Sequence, residues 1–115
     1  MVIQYYKDVE VMIPEEPGVN GVKMRRVIAE KEGAQNFVMR VFEVEPGGNT
    51  PLHSHDWEHE VFILSGAGTV IDSSGEHEVK SGDVIFIPGG EEHQFRNTGD
   101  KAWEFICLIP MKIGS

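Results

Sequence analysis

The apolar residues of this chain recur every second position, in short runs. Between residues 37 and 45, Val38, Arg40, Phe42 and Val44 share one parity, and Glu43 and Glu45 share the other. That is the period of a strand with one buried face. With the glutamates in water, Arg40 faces inward, where a guanidinium normally needs an anionic partner. Residues 62–64 and 69–72 flank a Ser65-Gly66-Ala67-Gly68 turn, and Asp72-Ser73-Ser74-Gly75 forms another. Further short runs follow at 76–80, 84–87, 93–97 and 101–109, separated by Gly, Pro or Asn.

Upstream, Val9, Val11 and Ile13 alternate before Pro14-Glu15-Glu16-Pro17-Gly18. Proline confines such a segment to an edge, so residues 1–17 read as an edge strand or arm, whose open edge offers a pairing surface to a second subunit. Asn20-Gly21 signals a turn. Residues 22–31 fit strand or helix, and their β-branched residues and all-strand company favour strand. Many short strands without a long helical period predict an all-β sandwich or barrel.

At 115 residues the chain is the size of one domain. Residues 1–35 are expected to form edge strands or an arm of that domain, and residues 36–113 its β core. The 19 acidic and 10 basic residues give a formal charge of −9, which repels phosphate backbones and anionic membranes, so neither nucleic acid nor membrane is an expected partner. The lone cysteine, Cys107, excludes an internal disulfide and a multi-cysteine metal site. The start shows no basic flank followed by a long apolar run, and a cytoplasmic location is expected.

Chemistry concentrates in the histidines. His53, His55 and His59 stand within seven positions, downstream of what reads as a Pro46-Gly47-Gly48 turn. On a strand His53 and His55 point the same way, and His59 shares parity with Val61 and Ile63, which places it on the buried side of the next strand. His93 can supply a fourth imidazole. The spacing is that of a metal site, with surface or strand-capping histidines as the plain alternative.

Two spaced patterns carry a resemblance. Gly47, five residues, His53-Ser54-His55, three residues, His59, six residues and Gly66 make the first; Gly82, Pro88, Gly90, His93 and Asn97 make the second. Together they resemble the paired motifs of the cupin superfamily, with His59 in the slot that family usually gives to glutamate. Glu60 fits that slot only if Gly66 falls one residue early. Residues 36–40, 53–60, 95–97 and 107–110 further resemble the small single-domain cupins that bind manganese through four histidines.

The resemblance implies a single jelly-roll β-barrel, a homodimer, and a divalent metal on His53, His55, His59 and His93. Manganese is the ion it implies; iron, copper, zinc and nickel are also compatible with imidazole. Four neutral ligands leave the ion its full double charge and two open positions in an octahedron. The leading expectation is a metal-dependent oxygenase or oxidase, a dioxygenase-like oxidoreductase acting on a small organic substrate. The alternatives are a non-catalytic metal or small-ligand binding module and a metal-dependent isomerase, which lacks an obvious base beyond Glu60. Metal release is expected near the free histidine value of about 6.5.

Three candidate catalytic residues carry alternatives. Arg40 is a substrate-anion anchor or half of an internal salt bridge. Glu60 is an acceptor behind a ligand ring or a solvent-facing carboxylate. Cys107, in parity with Trp103, Phe105 and Ile109, is an inert core thiol or a pocket thiol beside the metal. Phe42, Phe95 and Phe105 line a cavity or fill a core, Trp57 gates the metal or packs beneath it, and His77 is expected on the surface.

Overall fold

The computed structural model describes residues 1–111, so the last two positions of the expected 36–113 core lie outside the described residues. Eight strands form in chain order: β1 (Asn20–Ile28), β2 (Phe37–Asn49), β3 (His59–Ser65), β4 (Ala67–Asp72), β5 (Gly75–Lys80), β6 (Val84–Ile87), β7 (Gln94–Arg96) and β8 (Trp103–Pro110). They make one antiparallel sheet in the order β5-β4-β7-β2-β8-β3-β6, with β1 added to β2. The sheet curls on itself, as the alternation and the many short strands predict.

The inner face is built on the β2–β8 register, which sets Val38 opposite Ile109, Arg40 opposite Cys107, Phe42 opposite Phe105 and Val44 opposite Trp103. Trp103, Phe105, Ile63, Ile109, Val38 and Val44 are fully buried there. Asn97 ties this layer together. Its amide nitrogen donates to the carbonyls of Val44 and Lys101, both at 2.8 Å, and its amide oxygen accepts from Gly99 N–H at 3.0 Å. One short side chain thus serves three backbone groups, among them the buried Val44 carbonyl, which would otherwise be unpaired.

The outer face departs from simple alternation. Val41, of the supposedly exposed parity, is buried with Val9 and Val27 beneath the N-terminal arm, beside Tyr6, Met39 and Ile106. The arm is held by Gln4 donating to Val27 O at 2.8 Å, Arg25 donating to Val9 O at 3.0 Å, and Tyr6 OH donating to Glu104 at 3.2 Å. Among the described residues its one ladder step to the sheet is the Met12–Met24 bridge, so of the two expected forms, edge strand or arm, it takes the arm. Two expected turns are also corrected. Asn20-Gly21 opens β1, the turn lying at Pro17-Gly18; and Pro46-Gly47-Gly48 stays inside β2, which exchanges β8 for β7 as its partner there.

Candidate metal centre

Two backbone contacts bring the histidine motifs together. His53 and His93 exchange N–H···O bonds of 3.1 and 2.9 Å, so residues 50–53 run beside 93–95; Gly90 N–H donates to His55 O at 2.5 Å. Gly89 makes the second approach possible, because a Cβ there would lie 2.4 Å from the Asp56 carbonyl oxygen. Gly89→Ala is therefore expected to displace the loop carrying His55, costing about 1–3 kcal/mol in stability and weakening metal retention. Urea unfolding with a metal-competition titration checks it, and wild-type values in both would contradict it.

The four rings converge. Ring centroids are 4.2 Å apart for His53 and His55, 5.0 Å for His53 and His93, 5.3 Å for His55 and His59, and 5.0 Å for His59 and His93. His53, His55 and His93 each offer a nitrogen within 4.8 Å of the others. His59, the first residue of β3, turns its buried ring toward two of them.

Three of the rings have their Nδ1 engaged. His93 Nδ1 lies 2.9 Å from Glu91 O, His59 Nδ1 lies 3.4 Å from Cys107 Sγ, and His53 Nδ1 lies 3.5 Å from a Glu16 carboxylate oxygen. With Nδ1–H donating in each case, Nε2 is left with its lone pair free, the tautomer that ligation requires. His59 Nε2 is buried with no hydrogen-bond partner, a costly state that a cation would relieve. His55 is braced by Trp57, whose ring stacks on it at 4.4 Å and 8°. The donors present therefore fit a divalent cation.

Burial and mutual repulsion favour the neutral form of His53, His55 and His59. Burial first, then neighbouring His93, lowers the His59 pKa from 6.5 to about 3, and burial lowers those of His53 and His55 as well. At those three rings protons compete with a metal below the ordinary histidine range, which moves the expected release point down from 6.5. The unfolded chain takes up protons first on acidification. The share of metal-free stability linked to these rings is thus full above 6.5 and falls progressively as pH drops toward about 3. Acid titration of metal content and thermal unfolding at stepped pH check both points, and metal release with a midpoint above 6.5 would contradict them.

The cavity over the rings, about 120 Å³, is walled by Val22, Met24, Phe42, Phe95 and Phe105, with Glu16, Arg40 and Cys107 as its polar groups besides Thr50 and the histidines. Arg40 faces inward as expected. Its Nη2 donates to Cys107 Sγ at 3.1 Å, its guanidinium lies 4.8 Å from the Phe42 ring centre, and its Nε is buried with no partner. Among the described residues no carboxylate pairs with it, which removes the internal salt bridge. Cys107 is buried at 4% exposure, and burial pushes its thiol pKa up, so it sits in the pocket wall as a neutral thiol.

Glu60 is corrected. β3 alternates from His59, so His59, Val61 and Ile63 point inward and Glu60 is exposed on the outer face with Phe62. The acceptors behind the rings are Glu16, Cys107 and the Glu91 carbonyl instead. Glu16 was invisible to motif reasoning, because it lies on the arm among turn residues and belongs to no spaced pattern. His77 is on the surface as expected, 3.0 Å from Asp72.

Comparison with known proteins agrees with this geometry. The polyketide cyclase RemF from Streptomyces resistomycificus superposes with a TM-score of 0.94 at 35% identity, over 100% of this chain and 82% of that one. An oxalate-binding protein of Thermotoga maritima is 35% identical over 96 residues, 80% of this chain and 78% of that protein. The 1-methylthio-D-xylulose 5-phosphate methylsulfurylase of Rhodospirillum rubrum is 39% identical over 71 residues, 62% of this chain but only 46% of the relative's length. The family profile described as "Cupin domain" matches residues 40–109, which contain all four clustered histidines, and the chain therefore belongs to the cupin family, as a single jelly-roll barrel.

Proposed function

We propose that this cupin is a metal-dependent enzyme that moves protons on a small carbonyl-bearing molecule, closing a ring or shifting a double bond without redox change. A divalent cation held by His53, His55, His59 and His93 would supply Lewis acidity to a carbonyl or enol oxygen. Manganese is the proposed ion, on the resemblance to four-histidine cupins; affinity order alone favours copper or zinc. The aromatic wall of Phe42, Phe95 and Phe105 holds a flat substrate. Glu16, its side chain 59% exposed at the cavity, is placed to accept the proton.

The observation that carries this reading is the Cys107 thiol, 3.4 Å from His59 within the pocket. An activated oxygen species formed there would meet an oxidisable sulfur at once, so the oxygenase or oxidase reading ranks second. The likeness to a protein named polyketide cyclase over the whole chain supports the same order. A binding module is the third reading, supported by the relative named for oxalate binding.

The test is hydrogen–deuterium exchange at the central carbon of simple 1,3-dicarbonyl compounds, with an oxygen electrode running in parallel. Metal-dependent exchange, lost in His55→Ala and accompanied by no oxygen uptake, is the expected result. Oxygen consumed in step with substrate would overturn the reading in favour of an oxygenase, and binding without exchange would favour a binding module.

A homodimer and a cytoplasmic location belong to the same proposal. The single unpaired cysteine supports the second. For the first, the arm covers its own sheet, and the open apolar face lies instead on β3 and β6, where Phe62, Val84 and Phe86 are 45%, 74% and 58% exposed. Light scattering after gel filtration should give a dimer that Phe86→Glu dissociates; a monomeric wild type overturns it.

A further inference from the structure

We propose that Arg40 forms an oxyanion subsite beside the histidine cluster, and that the ligand of this pocket is a planar organic carboxylate lying against the Phe42–Phe105 wall. The inference deepens the function proposed above and rests on it only for the identity of the pocket. Arg40 stands on the inner face of β2, and its charge has no carboxylate partner among the described residues. Its Nη2 is spent on a sulfur, a weak acceptor, and its Nε–H is buried with no acceptor at all. A half-buried guanidinium whose Nε–H is buried without an acceptor is costly unless an anion completes it. Glu16, the carboxylate that lines the cavity, stands against His53 at 3.5 Å.

The charge count points the same way. Neutral imidazoles leave a divalent cation uncompensated, and Arg40 adds one positive charge where Glu16 removes one, so the loaded pocket carries two. A guanidinium fork matches carboxylate oxygens in distance and plane. The shape of the ligand follows from the wall: Phe42 and Phe105 stack at 5.3 Å and 11°, and Phe105 and Phe95 at 4.6 Å and 18°, which makes a stack of three nearly parallel rings that a further flat group can extend. A flat ring or enone bearing a carboxylate satisfies the cation and the wall together. Nothing in the spaced histidine motifs encodes this subsite, since Arg40 lies 13 positions before His53.

The test separates charge from shape. Benzoate and its neutral isostere benzamide are titrated calorimetrically into metal-free and metal-loaded protein, for the wild type, Arg40→Gln and Arg40→Lys. The wild type is expected to prefer benzoate by about tenfold or more in both forms, as one charge-assisted hydrogen bond allows. Arg40→Gln should lose most of that preference, and Arg40→Lys should keep part of it. Metal affinity should be unchanged or higher in Arg40→Gln, because a repelling charge has left the site. A preference for benzoate that appears only with metal and survives Arg40→Gln would put the anion on the cation and overturn the proposal. Equal binding of benzoate and benzamide by the wild type would overturn it as well. Neither readout requires turnover, so absence of proton exchange would defeat the enzymatic reading and leave the subsite standing.

Discussion

A His59→Ala protein is expected to purify folded but without stoichiometric metal, its affinity lower than the wild type's by about 100-fold or more. Outer-shell partners of a ligand already contribute about 10- to 100-fold, and His59 is proposed as a ligand itself. Its ring lies 5.3 Å from that of His55 and 5.0 Å from that of His93, and its Nε2 is buried with no partner. The three remaining histidines, with nitrogens within 4.8 Å of one another, can still form a weaker site, so loss is expected in affinity before it is complete. The fold survives because removing a polar ring also removes an unsatisfied buried nitrogen, which offsets part of the cavity left behind. Elemental analysis and competition against a chelator, with circular dichroism as the control for folding, read out the result. Wild-type affinity in this variant would reduce the site to three histidines.

Trp103→Ala is expected to destabilise the protein by about 3–5 kcal/mol, the cost of emptying a large buried aromatic site. Against a total stability of about 5–15 kcal/mol for a domain of this kind, that loss threatens folding itself. Trp103 is fully buried, with ring centroids 5.8 Å from Phe95 and 5.1 Å from Phe105. Its indole lies flush on Gly68, where a Cβ would stand 2.4 Å from the ring, so β4 cannot close the gap without shifting. Phe95 and Phe105 are also the cavity wall, and loosening them should weaken ligand binding before the metal is lost. Urea unfolding of the metal-free protein measures the effect; a loss below about 1 kcal/mol would mean that the core relaxes around the vacancy.

Much of this arrangement was legible in the chain. Period-two alternation located the strands, because each has one face on a common core, and the spacing of His53, His55, His59 and His93 located the cluster. Two departures have a common cause: the Pro46-Gly47-Gly48 stretch, expected as a turn, and Val41, which shares the parity of Glu43 and Glu45 yet is buried, both depend on what packs against β2, which local sequence does not carry. Glu60 is a different lesson. His59 and Glu60 are adjacent on one strand, so placing His59 inside already put Glu60 outside, and parity alone could have decided between them. Glu16 had no such signal, since it reaches His53 only through the return of the arm across the sheet. Arg40 was legible as an inward charge, but the absence of a carboxylate beside it required the neighbours to be known.

X-ray absorption on manganese-reconstituted protein tests the four-histidine centre most directly. Four imidazole nitrogens in the inner shell, falling to three in His59→Ala, are the expected result. An inner shell containing sulfur from Cys107, or one unchanged by removal of His59, would contradict it.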